Sequence, residues 1–585
     1  MPDGRTIRDV LSGDINNNRE AIFLAQLNDL SSALFRRAPD GTLTTLAPLL
    51  GSGDLNDKGE IAFLASGVIF FINASGQVSK VVGPGDPAPG GGSFTGIGFP
   101  QLNNKGQIAF FASLSTGKSG IFVAPVALLE TKFVDPVADL LVGSAITSAP
   151  TELAKNGRVV EGIAADGVAQ VVVRVKTGQE GTVELSLADS QGGSLPASNF
   201  NGSLGLVGSR GGSSTVSVST VDVEGIGPMA FAAYHAPTDF SSSPDSVEAG
   251  LPEREIFIKV KLTTSTGETV ESTESLKIVR PSVVLVHGIW SDFTTWNQFG
   301  GLSRLNPDPR FAIFTINYSG SDAFAWNADL TQAQLGNLIE MFKDGANPTG
   351  NPVAAIQADI VAHSMGGTVA RTMVTRRGFL RGENFGKGDV HKLITIDTPH
   401  LGSHFANRLI DSNLFCRLVF RLGGYPVAGA IRDLAVGSSM LQTLQNTPKV
   451  GLKTHVLVGI ANSAQEQSAE ENFRNLASGL ASRICPNILP AGGLQEVFGG
   501  SSDLLVSDES QAAAGLGFSG GNLPGQVSPD TIHSVIPKLF TFGPDALSRD
   551  MIDGQVAGAL TLNPQRVIDL LNQSVLSDFF GRIRP

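Results

Sequence analysis

Asp359-Ile360-Val361-Ala362-His363-Ser364-Met365-Gly366-Gly367 joins an apolar run to a small-His-Ser-x-Gly turn, and that junction decides how the C-terminal half of the chain reads. A serine nucleophile of this kind stands at the tip of a sharp strand-to-helix turn, its backbone strained and its Oγ above the sheet. Only small residues fit around such a turn. Gly366 meets that need two positions after Ser364, and Ala362 stands where the general pattern has its first glycine, a departure of one methyl group. Thr368 to Val374 reads as a helix whose positive dipole end lies beside the serine. The segment predicts serine nucleophilic chemistry; a chance match in a Gly- and Ser-rich chain is the competing reading.

Ser282-Val283-Val284-Leu285-Val286-His287-Gly288-Ile289-Trp290 reads as a buried parallel strand that ends in His287-Gly288. Around a nucleophile elbow, the loop after such an early strand supplies one oxyanion-hole N–H and the residue after the serine supplies the other. Those residues are Ile289 and Met365. Two preorganised donors of this kind contribute about 3–4 kcal/mol each. His287 precedes Ser364 by 77 positions, which fits one domain; read alone, His-Gly merely ends a core strand.

The general base follows by exclusion. Triad order on such a scaffold is Ser, then Asp or Glu, then His, and the chain holds eight histidines: 235, 287, 363, 391, 400, 404, 455 and 533. His533, after a Gly- and Pro-rich loop, is the one in the last part of the region and is the predicted base. His455 lies in the apolar strand pattern Thr454–Ile460, where a structural imidazole is expected. For the acid, Asp503 follows the seventh strand of such a sheet and precedes His533 by 30 positions. Asp508, Asp530 and Asp397 remain alternatives, since the acid need only orient the imidazole and support its charge.

These residues resemble the bacterial lipases and esterases of the α/β-hydrolase superfamily, with some likeness to the GPI inositol-deacylases, which share the Ala-His-Ser-Met-Gly-Gly elbow. The resemblance covers about half the chain, from Pro281 onward. It is carried by Val286–Trp290, Val361–Gly367 and Ile394-Thr395-Ile396-Asp397-Thr398-Pro399-His400-Leu401-Gly402-Ser403, in that order. It implies a mostly parallel sheet with helices on both faces over 281–585, a Ser364-Asp503-His533 triad, an oxyanion hole at Ile289 and Met365, and supporting roles for His287, Gly288, His363 and Gly366. In those lipases an Asp-Gly-Leu-Val-type loop carries the acid; here Leu504 replaces the glycine. They often place a calcium-ligating aspartate two residues after the histidine, where this chain has Val535. No metal and no cofactor is therefore expected.

Residues 404–450 read as an insertion above the site, with Phe405, Leu409, Leu414, Phe415, Leu418, Val419 and Phe420 as apolar candidates. A lid with an apolar inner face would imply an acyl or lipid-like small-molecule substrate; the buried stripe of ordinary helices is the equal alternative.

Residues 1–129 are repetitive. Leu55-Asn56-Asp57-Lys58-Gly59-Glu60-Ile61-Ala62-Phe63-Leu64-Ala65 recurs at 102–112 and, more weakly, at 15–25, offsets of 47 and 40. Asn-x-x-Gly marks a tight turn entering an apolar strand, and the period suits propeller-like blades or a similar stacked sheet. The pattern resembles the bacterial repeat family named for its Asn-x-x-Gly-x-x-Ala-Phe signature. Pro2-Asp3-Gly4 to Asn16 resembles Pro39-Asp40-Gly41 to Asn56, so the chain is expected to begin partway through a repeat, with more repeats and a signal peptide upstream. Residues 130–280, with alternating Ile256, Ile258, Val260 and Leu262 and with Val216, Val218 and Val223 in a Ser/Thr-rich run, read as an immunoglobulin-like β-sandwich. A spacer, or contact with a cell surface or polymer, is its expected role. Ala112–Ser119 nearly spells a phosphate-binding loop, but Gly120-Ile121-Phe122-Val123 continues as a strand, which argues for a hairpin instead.

The net charge of −12 and the lack of a basic stripe argue against nucleic acid. No apolar run reaches the roughly 18 residues of a membrane span. Secreted-type modules point to an extracellular or cell-surface setting, and Cys416 and Cys485 form one disulfide if the fold brings them together. An amidase, thioesterase or acyltransferase on the same triad, or a non-catalytic binding protein, remains open beside an ester hydrolase.

Overall fold

The structure is a computed structural model. It describes residues 6–584 except 48–52, 74–75, 77, 90, 105, 126–128, 138, 266, 268, 298, 304–306, 423–424, 448–450, 477–484, 486–487, 489–492, 519 and 534–562. Pro2–Gly4, used above to read the start of the first repeat, lies outside the described residues.

Each repeat builds one four-stranded antiparallel sheet: strands Ile7–Ile15 to Leu43–Ala47, Gly53–Leu55 to Val78–Val82, and Phe94–Ile97 to Ser119–Pro125. The repeat asparagine explains the periodicity. Asn56 Oδ1 accepts from the Lys58 and Glu60 N–H groups at 3.0 Å each and so closes its own turn. Asn16 Nδ2 donates to the Asn56 carbonyl at 2.9 Å, and Asn56 Nδ2 to the Asn103 carbonyl at 3.2 Å. The offsets of 40 and 47 are thus the steps of an asparagine ladder that ties sheet to sheet. Gly59 holds φ +75° at the fourth turn position, and Arg19 is held at +65° in the weaker copy, a conformation that suits glycine far better. Residues 112–119 form the hairpin between strands Gln107–Leu114 and Ser119–Pro125, with Ser113 opposite Ser119.

Residues 130–279 contribute two sheets that share one core, Val171, Val173 and Tyr234 from the first meeting Leu185, Ile258 and Leu276 from the second. Ile256, Ile258, Val260 and Leu262 are all buried, the outcome of period-2 alternation on a strand with one face inward. The second sheet continues across the boundary expected at 280/281. Strand Gly162–Ala164 pairs in parallel with Thr269–Val279 on one side and with Val353–Ala354 on the other. Buried Asp166 locks that seam: its Oδ1 accepts from the Val168 and Ala169 N–H groups, its Oδ2 from those of Ile356 and Gln357 at 2.7 and 3.0 Å.

The C-terminal sheet runs in the order Ile313–Thr315, Val283–Val286, Ala358–His363, Val390–Ile396, Leu452–Ile460, Gly525–Pro529, all neighbours parallel, with Gly581–Ile583 antiparallel on Leu452–Ile460. The strand Val283–Val286 is wholly apolar and Ala358–His363 and Val390–Ile396 are buried along their whole length, because both faces of the sheet centre are covered. Val284, Val286, Ile360 and Ala362 enter one core with Phe324, Leu335, Val369 and Met373 of helices Phe324–Lys343 and Met365–Val374. Val283, Leu285 and Val361 enter another with Trp296, Phe299 and Val567 and Leu571 of helix Pro564–Asn572.

Between strands Val390–Ile396 and Leu452–Ile460 the described residues form four helices, His404–Asp411, Leu414–Leu422, Gly429–Leu434 and Ser439–Asn446. The single apolar inner face expected there divides in two. Phe405, Leu409 and Phe420 are buried in the main core, whereas Leu414, Phe415 and Leu418 point to solvent. Helical periodicity places Cys416 and Phe420 on one side of their helix and Leu414, Leu418 and Leu422 on the other. The Cys416 and Cys485 Sγ atoms are bonded, tying this helix to a segment 69 residues away. Among the described residues no helix is long and apolar enough to cross a membrane.

Candidate active site

The parallel strands deliver their following residues to one edge of the sheet, where open α/β sheets form their crevices. Ser364 follows the central strand Ala358–His363 with φ 55° and ψ −130°, a strained backbone that turns Oγ out before the helix starts. The close packing behind it explains the small residues. A Cβ on Gly366 would lie 2.5 Å from the Val286 carbonyl oxygen, one on Gly367 would run into Thr398, and one on Gly288 would lie 2.8 Å from the Ser364 Cβ.

His533 Nε2 lies 2.9 Å from Ser364 Oγ, and His533 Nδ1 lies 2.7 Å from Asp503 Oδ2. Asp503 is oriented by the loop that carries it: its Oδ1 accepts from the Leu505 and Val506 N–H groups at 2.9 and 2.8 Å. Leu504, which replaces the expected glycine, is held at φ +74°, and its buried side chain joins the main core. The three residues are 4%, 3% and 0% exposed in the order Ser364, His533, Asp503, so solvent hardly reaches them.

The alternative acids are elsewhere or otherwise engaged. Asp508 opens a short helix, Asp530 is exposed at φ +60°, and buried Asp397, at φ +52°, accepts from the Gly459 N–H at 3.1 Å. Val535, the position read against calcium, lies outside the described residues.

Ile289 and Met365 lie in the loop after Val283–Val286 and at the first turn of the elbow helix. The N–H at a helix start has no intrahelical acceptor, and that of Ile289 takes part in none of the turn and loop backbone bonds among the described residues. Trp290 is pinned above this loop: its Nε1 donates to the Pro426 carbonyl at 3.1 Å and its ring meets Tyr425 edge-on at 5.2 Å. The helical segment 404–446 is thereby joined to the loop that bears Ile289.

The supporting histidines are buried and neutral. Burial pushes His287 down to about 4, and burial together with the neighbouring His533 pushes His363 down to about 3. His287 Nδ1 lies 3.0 Å from the Gly288 carbonyl, and His363 Nε2 lies 3.3 Å from the His533 carbonyl. Tyr318 was not legible beforehand; it stacks on His287 at 4.2 Å and donates its hydroxyl to the His287 carbonyl. The chain has only three tyrosines, and that scarcity is the one sequence signal that singles it out. His400 of the Thr-Pro-His stretch is structural: its Nε2 lies 3.1 Å from Thr395 Oγ1, and its carbonyl accepts from Arg371 of the elbow helix at 2.9 Å. His455 is likewise buried, with Nδ1 2.8 Å from the Phe579 carbonyl.

Residues 281–419 match the family model described as "Putative serine esterase (DUF676)", and residues 7–129 match one described as "Family of unknown function (DUF7453)". The esterase match spans the strand before Ile289, the elbow, the helix His404–Asp411 and the start of Leu414–Leu422, and it supports ester hydrolysis as the chemistry of this region. Among solved structures the chain is similar to the mature lipase BlEst2 of Bacillus licheniformis, 17% identical, covering 43% of this chain and 84% of that one with a TM-score of 0.28. It is also similar to phospholipase PlaB of Legionella pneumophila, 15% identical, covering 51% of this chain and 61% of that one with a TM-score of 0.31. A third is an extracellular alpha/beta-hydrolase from a Paenibacillus species, 16% identical, covering 25% and 53% with a TM-score of 0.16. No curated protein matches the chain.

Proposed function

We propose that residues 281–585 form an α/β-hydrolase domain that cleaves carboxylic esters through a covalent acyl-enzyme. Ser364 Oγ attacks the acyl carbonyl while His533 Nε2 takes its proton, and the carbonyl electron pair moves onto oxygen, where the Ile289 and Met365 N–H groups receive it. The intermediate collapses, the C–O bond to the alcohol breaks, and His533 returns the proton to the departing alkoxide. Water then repeats the sequence on the acyl-enzyme and releases the carboxylic acid. Asp503 keeps the imidazole in the tautomer with its lone pair at Nε2 and supports the imidazolium. The observation that carries this reading is the unbroken relay of 2.9 Å from Ser364 Oγ to His533 and 2.7 Å from His533 to Asp503.

The apolar surroundings of the site, with Ile289, Trp290, Leu401 and Tyr425 packed on the main core, favour an apolar acyl group over a polar one. The Cys416–Cys485 disulfide fits an oxidising compartment, consistent with action outside the cell. The repeat sheets, read as propeller-like blades, and the β-sandwich would present the catalytic domain to a surface or polymer.

The test is hydrolysis of a p-nitrophenyl ester series from short to long acyl chains, with Ser364→Ala as control. Turnover lost in the variant at an unchanged melting temperature is expected. Activity retained in Ser364→Ala would overturn the assignment.

A further inference from the structure

His363, Asp397 and His533 come together although two of the three have no part in the relay. Each offers one ligand atom, and these atoms lie within 4.8 Å of one another. All three side chains are buried. The two imidazole rings lie with centroids 5.0 Å apart and planes tilted by 45°. Asp397 is held at the end of strand Val390–Ile396 by its left-handed backbone and by the Gly459 N–H on Oδ1.

Two imidazoles and one carboxylate are the donor set of zinc sites that keep a fourth position open, with ligand distances near 2.0–2.2 Å. Around a tetrahedral ion such atoms stand about 3.4 Å apart, so a spacing within 4.8 Å closes by modest side-chain rotations. Imidazole and carboxylate together suit zinc among the common divalent cations, whereas calcium and magnesium prefer oxygen ligands alone.

We propose that these three residues form an inhibitory zinc site built onto the nucleophile. His533 Nδ1 is engaged by Asp503, so the cation must bind through Nε2, the atom 2.9 Å from Ser364 Oγ. Coordination uses the imidazole lone pair that would otherwise accept the serine proton. No bond to substrate forms or breaks; the ion removes the base and leaves the fold intact. The consequence for turnover rests on the serine-esterase reading, whereas the binding itself does not.

The test uses the full chain, freed of metal with a chelator and titrated with zinc against a chromophoric zinc indicator, in four forms: wild type, Ser364→Ala, Asp397→Asn and His363→Asn. One equivalent is expected to bind wild type and Ser364→Ala alike. Asp397→Asn and His363→Asn should each weaken binding by more than about tenfold, the least that even an outer-shell partner of a metal contributes. In parallel, zinc should suppress ester hydrolysis in wild type at the concentrations that fill the site, with recovery on adding chelator. Asp397→Asn, measured against its own zinc-free rate, should resist. Absence of stoichiometric binding, unchanged binding in both ligand variants, or a rate that rises with zinc would overturn the proposal. Zinc bound at these residues in a protein that hydrolyses no ester when metal-free would leave the site standing and remove the esterase reading instead.

Discussion

Asp503 holds His533 twice: its carbonyl accepts the His533 backbone N–H at 2.9 Å, and its Oδ2 lies 2.7 Å from His533 Nδ1. The backbone bond fixes the main chain at 533 whatever the side chain at 503 is, and on the proposed mechanism the carboxylate orients the imidazole and sets its tautomer and charge. Asp503→Asn should therefore fold with little loss of stability while kcat falls by about 10⁴. Asp508→Asn and Asp530→Asn should stay near wild type. Steady-state kinetics on one p-nitrophenyl ester checks all three, and a modest effect at 503 would return the acid to the alternatives.

Gly288 and Gly366 separate activity from stability. A methyl on Gly288 presses on Ser364 itself, 2.8 Å from Cβ and 3.2 Å from Oγ, while one on Gly366 presses on the Val286 and His287 carbonyls at 2.5 and 2.8 Å. Overpacking of this kind costs about 1–3 kcal/mol. Gly288→Ala should appear chiefly as a loss of kcat/KM, and Gly366→Ala chiefly as a lower Tm. Equal effects of the two on both quantities would contradict the geometry.

Acid should destabilise the protein through its buried histidines. Burial holds His287 near 4 and His363 near 3, and it holds His400 well below the usual value; the unfolded chain titrates near 6.5. From about pH 6.5 down to these values the unfolded state binds more protons than the folded one, so stability falls as pH falls, by about 1.4 kcal/mol per pH unit for each such histidine. Tm measured from pH 7 to 5 should drop, and His287→Asn should flatten the slope. A Tm independent of pH over that range would contradict neutral burial.

The seam at Asp166 should make the two sheets of residues 130–279 part of the stability of residues 281–585. Four backbone N–H groups converge on this one carboxylate, two of them from Ile356 and Gln357 just before the elbow strand. Asp166→Ala leaves them without that acceptor, at roughly 1–3 kcal/mol for each buried group left unsatisfied. A lower Tm is expected, and residues 281–585 expressed alone should fail to give soluble active protein. A stable, active fragment would show that the seam is dispensable.

How far the chain could be read depended on how locally each feature is encoded. Ser364, Gly366 and the His287–Ile289 loop were legible because a strained turn between strand and helix restricts residue size within a few positions. The asparagine turn was legible for the same reason, and its offsets of 40 and 47 carried the ladder spacing. His533 came by exclusion from chain order. Asp503 was harder to single out because Leu504 departs from the expected glycine; the structure pairs its left-handed backbone with a side chain buried in the main core, a compensation no local pattern reveals.

What the sequence determined by itself was the set of local conformations, since side-chain size, hydrophobic period and turn chemistry act over one or two turns of chain. Only the tertiary structure decided which distant groups meet: Asp166 with Ile356, Tyr318 with His287, Cys416 with Cys485, and Asp397 with the two histidines. Those meetings follow from how two sheets and their covering helices pack to exclude water from shared cores, and packing joins residues by volume and burial rather than by their spacing along the chain.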